Sequence, residues 1–189
     1  MQPPAKITRQ TLSRSARQLA RLLDSRQQLI VFAESCTGGM VSATLTEVPG
    51  VSARHCGSAV VYQVETKIAW LGVDAQKLKK PGPVSRVVAE QMATGVLEKT
   101  PAATISAAIT GHLGPNAPAK QDGLVYVAVA VRDADGSPRQ AKLVRQVLDI
   151  GTGSDSSSPR SLRHQRQLAA AWLVLETACQ VLQQLPAAE

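Results

Sequence analysis

Ser35 and Lys67 are the side chains whose types and positions invite chemistry. Ser35 stands where the apolar run "QLIVFAE" gives way to "SCTGG", ahead of a stretch with helical spacing. A serine leaving a strand and entering a glycine turn before a helix meets outward-pointing backbone N–H groups and the positive end of the helix dipole. Those donors would stabilise an alkoxide at Ser35, the oxyanion of a tetrahedral intermediate, or a substrate phosphate. Gly38 and Gly39 have no Cβ and allow close approach. The plainer role is that Ser35 or Thr37 caps the helix, and the pattern S-x-T-G-G alone favours that role.

A serine nucleophile needs a base. The stretch is not a G-x-S-x-G elbow, and none of His55, His112 and His164 has a motif around it that would complete a Ser-His-acid triad. A lysine can take the proton if it is neutral at that moment. Lys67 follows the branched run "AVVYQVET" and lies five residues beyond Tyr62, whose hydroxyl could relay or orient a proton. Working near neutral pH would require its pKa to fall from about 10.4 to roughly 7–8, through burial or nearby positive charge. A solvated lysine is the alternative. Cys36 competes with Ser35, because a thiol at a helix N-terminus has a lowered pKa. Burial as a small apolar side chain suits Cys36 better.

These residues must be positioned by the elements around them. From Thr11 to Arg26, Leu12, Ala16, Leu19, Ala20 and Leu23 recur at three- and four-residue spacing, which predicts an amphipathic helix. "QLIVFAE" reads as a strand buried on both faces, and "GGMVSATLTEV" returns to helical spacing. "GSAVVYQVET" is rich in branched residues and predicts a second strand running to Thr66. After Pro81-Gly82-Pro83, Ser85 is expected to cap the helix "SRVVAEQMATGVLEK". Strand-like "ATISAAIT" follows. "GLVYVAVAV" and "PRQAKLVRQVL" flank Asp133-Ala134-Asp135-Gly136 and should pair antiparallel. The polar stretch Gly151 to Pro159 is expected to be a mobile loop, and Leu162, Ala169, Trp172, Leu175, Cys179 and Leu182 mark a final helix. The expected fold is α/β: a three-layer α/β/α sandwich with a mixed, mostly parallel sheet and an antiparallel hairpin, forming one domain over residues 1–189.

Composition bounds the partners. Aromatic residues are only 3% of the 189, so the core must be built from Ala, Val, Leu and Ile. No apolar run approaches the roughly 20 residues needed to span a bilayer, and "MQPPAKITRQ" lacks the apolar centre of a signal peptide, so a cytoplasmic chain without a membrane partner is expected. Three cysteines without C-x-x-C spacing indicate neither a disulfide framework nor a zinc site. The formal charge of +7 would attract phosphates, with arginines at Arg9, Arg14, Arg17 and Arg21 and again at Arg160, Arg163 and Arg166. No aromatics interleave with them to stack bases, so nucleic acid is not expected as a partner, and the first four read as a solvated helix face.

The sequence resembles the C-terminal domain of the competence/damage-inducible protein CinA and its standalone relatives, the nicotinamide mononucleotide amidases. The resemblance is carried by "AESCTGG" (Ala33 to Gly39), Tyr62 with Glu65 and Lys67, "GVD" at Gly72 to Asp74, "VS" at Val84-Ser85, and "TG..GP" from Thr110 to Pro115, in the family's order. It implies a Ser/Lys amidohydrolase that converts nicotinamide mononucleotide and water to nicotinic acid mononucleotide and ammonia. Ser35 would be the nucleophile and Lys67 the base and then the acid, with Tyr62 in the same hydrogen-bonded set. Thr37, Gly38, Gly39, Thr110, Gly111, Lys120 and one arginine among Arg160, Arg163 and Arg166 would bind the nucleotide, with Arg163 taken as its representative. No metal or organic cofactor is implied. The fused N-terminal domain of longer relatives is expected to be absent. The family commonly reads Y-S-N-E-A-K where this chain reads Tyr62-Gln63-Val64-Glu65-Thr66-Lys67. Its glycine-rich loop is about two residues shorter here, between Gly114 and Gly123, although Lys120 still stands three residues before Gly123.

Two other readings stand beside the pyridine-nucleotide amidase: a nucleotide-binding or regulatory domain with weak or no chemistry, and an amidase for a different substrate. A homo-oligomer is expected because two-fold association is common.

Overall fold

The computed structural model describes residues 7–118, 120–150 and 159–185, with side chains in the last stretch described from 162. The elements in chain order are α1 (Arg9–Ser25), β1 (Ile30–Glu34), α2 (Met40–Thr46), β2 (His55–Val60), α3 (Val64–Leu71), α4 (Ala75–Lys79), α5 (Arg86–Glu98), β3 (Ile105–Gly111), β4 (Leu124–Arg132), β5 (Pro138–Val147) and α6 (Pro159–Gln184). Residues 151–158, where a mobile loop is expected from the sequence, lie outside the described residues.

The strands form one sheet in the order β2-β1-β3-β4-β5. β1 is parallel to both β2 and β3, while β4 is antiparallel to β3 and to β5, so only β4 runs against the other four. The mixed, mostly parallel sheet with a hairpin is as expected. That hairpin closes where Gly136, at φ +82°, donates to the Asp133 carbonyl. Glycine takes this left-handed backbone without a steric penalty.

Side chains alternate across the sheet and divide the core in two. Ile30 and Phe32 of β1 join Leu12, Ala16, Leu19 and Leu23 of α1, together with α2 and α6. Val31 and Ala33 point the other way, into a cluster with Leu71, Leu78 and the apolar face of α5. β1 is therefore buried at all five positions, as a strand covered by helices on both sides must be. Each fully buried Leu or Phe contributes about 1.5–3 kcal/mol.

The α5 face of the sheet carries small residues, Ala33, Ala108, Ala128 and Ala130, that let the helix approach. Gly95 of α5 meets α3 so closely that a Cβ there would lie 2.0 Å from the Leu71 carbonyl oxygen. Ser106 of β3 fastens α5 by donating to the Ala93 carbonyl at 2.7 Å.

The chain after β2 departs from the sequence expectation. The strand stops at Val60, and Val64–Leu71 is helical rather than extended. Branched side chains at Val64 and Thr66 suit a strand, but tertiary context overrides so weak a preference. Lys67 and Leu71 stand one turn apart and are both buried, and Gly72, at φ +68°, ends the helix by donating to Ile68. Ser85 occupies the N-cap position of α5, yet its hydroxyl donates to the Gly82 carbonyl instead of accepting from the helix. Among the described residues no helix is long and apolar enough to cross a membrane.

Candidate active site

The three parallel strands β1, β2 and β3 end on one edge of the sheet, and Ser35, Tyr62 and Gly111 lie at or just beyond those ends. Crevices at the carboxyl ends of parallel strands are the usual place for ligands in open α/β sheets.

The turn after β1 is organised by Glu34, which is 1% exposed. Its Oε2 accepts from the Thr37 hydroxyl (2.8 Å) and the N–H groups of Gly39 (3.0 Å) and Val41 (3.1 Å), and its Oε1 from the Ser42 N–H (2.9 Å) and the Ser58 hydroxyl (3.2 Å). The carboxylate thus caps α2 from one residue before Ser35, where the helix dipole favours negative charge. Gly38 and Gly39 take φ values of +63° and +97°, a path only glycine follows without strain, and the Gly38 N–H donates to the Ser35 carbonyl. The sequence points to Thr37, Gly38 and Gly39 as donors to a substrate anion. In the structure the anion held by Thr37 and Gly39 is the protein's own Glu34.

Ser35 is thereby presented to Lys67 from α3. The Lys67 Nζ lies 3.1 Å from the Ser35 Oγ, and it also donates to the carbonyls of Val61 (2.6 Å) and Tyr62 (3.3 Å). These three partners match the three donors of an ammonium. Lys67 is 2% exposed, and burial pulls its pKa down from 10.5 to about 8. When the amine is neutral, its two remaining N–H groups still have the two carbonyls to donate to. The lone pair is then left facing the Ser35 hydroxyl, the geometry of a general base. Cys36, also buried, has its thiol pushed up to about 12 by burial, so it stays protonated and unreactive near neutral pH.

Tyr62 joins this set through its carbonyl rather than its ring. Its hydroxyl accepts from Arg163 Nη2 at 2.7 Å, and Arg163 Nη1 donates to the Gly114 carbonyl. Arg163 therefore links α6, the β2–α3 connection and the loop after β3. Arg166 plays a different part. It is 7% exposed, makes paired bonds to Asp122 (2.8 and 2.7 Å), and donates to the carbonyls of Leu113 and Leu148. Gly114 and Gly123 close over it, since a Cβ on Gly114 would lie 2.9 Å from its Nη1. Of the three C-terminal arginines considered from the sequence, Arg163 faces Tyr62 and Arg166 anchors the loop. The side chain of Arg160 lies outside the described residues.

Thr110 is 1% exposed and donates to the Pro83 carbonyl at 2.8 Å. Gly111 is enclosed by Val125 and Leu124, leaving no room for a Cβ. Lys120 is exposed, at φ +64°. His55 pairs with Ser42 at 2.8 Å, away from Ser35. The sequence reading left two contributors without a role: Glu34, although a carboxylate ahead of a helix start is a capping signal, and Gln167, which reaches the Cys36 carbonyl at 3.4 Å.

The chain that carries this buried Ser–Lys pair matches a known family. The CinA C-terminal domain family matches residues 12–146, and the chain belongs to it. Among curated relatives, the CinA-like protein of Thermosynechococcus vestitus is 40% identical over 130 residues, covering 68% of this chain and 31% of that protein. The CinA-like protein of Mycolicibacterium vanbaalenii is 40% identical over 148 residues, covering 77% of this chain and 34% of its own length. The chain thus spans about a third of the length of the curated relatives it matches. A competence/damage inducible protein from Agrobacterium tumefaciens, of solved structure, superposes with a TM-score of 0.74 at 29% identity, covering 90% of this chain and 95% of that one. A Klebsiella pneumoniae protein described as competence damage-inducible protein A shares the fold, with a TM-score of 0.78 at 22% identity over 93% of this chain and 99% of its own.

Proposed function

We propose that the chain is a Ser/Lys amidohydrolase acting on nicotinamide mononucleotide. The observation that carries this reading is the buried Lys67 amine, 3.1 Å from the Ser35 hydroxyl and with its pKa lowered to about 8. A buried lysine is costly, and a strongly perturbed pKa beside a hydroxyl is a mark of a functional site. The substrate is taken from the resemblance of "AESCTGG", Tyr62 and Lys67 to the amidase family.

In the proposed cycle, neutral Lys67 takes the Ser35 proton as Oγ attacks the carboxamide carbon. The oxyanion would be met by main-chain N–H groups of the turn that follows Ser35. Collapse breaks the C–N bond, the nitrogen takes the proton from the Lys67 ammonium, and ammonia leaves an ester on Ser35. Water then attacks that ester with Lys67 again as base, releasing the carboxylic acid and restoring the serine hydroxyl. Arg163, with one guanidinium edge engaged by Tyr62 and Gly114, would bind the nucleotide phosphate through its remaining donors. With Thr37 and Gly39 bonded to Glu34, the family resemblance leaves Arg163 and Lys120 as the residues that would bind the phosphate.

The test is ammonia release from nicotinamide mononucleotide by the purified wild type and by Ser35→Ala. Turnover in the wild type that is lost in the variant supports the reading. No turnover by the wild type rejects the substrate, and full activity in the variant rejects the nucleophile. Tight binding of the mononucleotide without conversion would favour a regulatory nucleotide-binding domain.

A further inference from the structure

The opposite end of the sheet carries a second feature that the Ser35 site does not use. A groove of about 430 Å³ opens between α1 and the connection from α2 to β2, lined by Arg17, Arg21 and Arg54 and by Asp24. Its apolar surface comes from Ala20, Val48, Pro49 and Val51. Arg54 precedes β2 and Asp24 lies near the end of α1, so the groove sits at the amino end of β1, whereas Ser35 follows its carboxyl end. Five residues of strand separate the two ends, roughly 15 Å.

The charges in the groove are unequally satisfied. Asp24 Oδ1 accepts from both Nε (3.1 Å) and Nη2 (2.9 Å) of Arg54, which fixes that guanidinium and occupies the lone carboxylate of the lining. Arg17 and Arg21, one helical turn apart on α1, have no hydrogen-bond or ion-pair partner among the described residues. Three arginines against one aspartate leave a net positive cavity with an apolar floor. Guanidinium groups recognise phosphate oxygens through paired donors. A volume of this order lies in the usual range for small-molecule sites, roughly 300–1,000 Å³. A short groove with no aromatic lining is a poor track for a nucleic-acid strand.

We propose that this groove binds a small phosphorylated organic molecule of mononucleotide size, at a site separate from Ser35. The phosphate would lie between Arg17 and Arg21, and the organic body would rest on Ala20, Val48 and Val51.

Calorimetric titration with AMP tests this in three proteins: the wild type, Lys67→Ala, and the double variant Arg17→Ala/Arg21→Ala. Saturable binding should persist in Lys67→Ala and weaken by roughly tenfold or more in the double variant, as loss of charge-assisted bonds requires. Adenosine without the phosphate should bind far more weakly than AMP. Both arginines are exposed, so the double variant should keep the wild-type melting temperature and rate of ammonia release. Equal AMP binding by the double variant, loss of all binding in Lys67→Ala, or no saturable binding at about 1 mM AMP would each overturn the proposal. So would binding confined to duplex oligonucleotides with a steep salt dependence.

Discussion

Raising the pH from 6 to 8 should increase kcat/KM about fifty-fold, because Lys67 must be neutral to accept the Ser35 proton. With its pKa near 8, the amine is neutral in roughly one molecule in a hundred at pH 6, one in ten at pH 7 and half at pH 8. The rate should therefore climb close to tenfold per unit at first and level off above pH 9. Steady-state ammonia release at constant ionic strength measures the profile. An NMR titration of the lysine side chains, compared with Lys67→Met to assign the signal, measures the same pKa without any substrate. Cys36→Ala should leave the rising limb in place, since that thiol stays protonated until about 12. The same group makes stability depend on pH. Folded Lys67 loses its proton near 8 and unfolded Lys67 near 10.5, so between those values the unfolded chain binds more protons and stability rises with pH. The full gap corresponds to an upper limit of roughly 3 kcal/mol. In urea unfolding the wild type should therefore gain on Lys67→Met as pH rises from 8 toward 10. A flat rate profile from pH 6 to 9, or a Lys67 titration midpoint near 10, would refute the assignment of this lysine as the base.

Ser35→Ala should abolish ammonia release while shifting the urea midpoint little, because the serine contributes one partner to Lys67, which keeps its two carbonyls. Glu34→Gln should destabilise by about 2–4 kcal/mol in urea unfolding, because an amide turns donors toward N–H groups that now bond a carboxylate. It should also lower kcat more than it raises KM, since the turn that presents Ser35 loosens. Gly95→Ala should cost at least about 1–3 kcal/mol, read as a drop in melting temperature, because its Cβ would overlap the Leu71 carbonyl and push α3 and α5 apart.

The long helices could be read from the sequence by periodicity and most strands by their apolar runs, although β2 stops at Val60 where the sequence predicts a strand to Thr66. The stripe from Leu12 to Leu23 and the unbroken apolar run of β1 each permit one arrangement on a covered sheet. The site was legible in its residue types and not in its contacts. The pKa of Lys67 is lowered because α3 buries it, yet the sequence from Val61 to Thr66 carries strand-like branching and the helix is fixed mainly by tertiary packing and the stop at Gly72. The glycine turn offered free donors on paper, but Glu34, one residue before Ser35, reaches forward and takes those of Thr37 and Gly39; a carboxylate ahead of a helix is a capping signal, yet at the end of a strand it does not say which donors the side chain will occupy. The arginines show the same limit at shorter range. Arg163 and Arg166 are three residues apart and so lie side by side on α6, one facing Tyr62 and the other Asp122. Helical spacing places both near the loop, and only the packing of the loop that holds Gly114, Asp122 and Gly123 decides which guanidinium is buried beneath it and which reaches Tyr62.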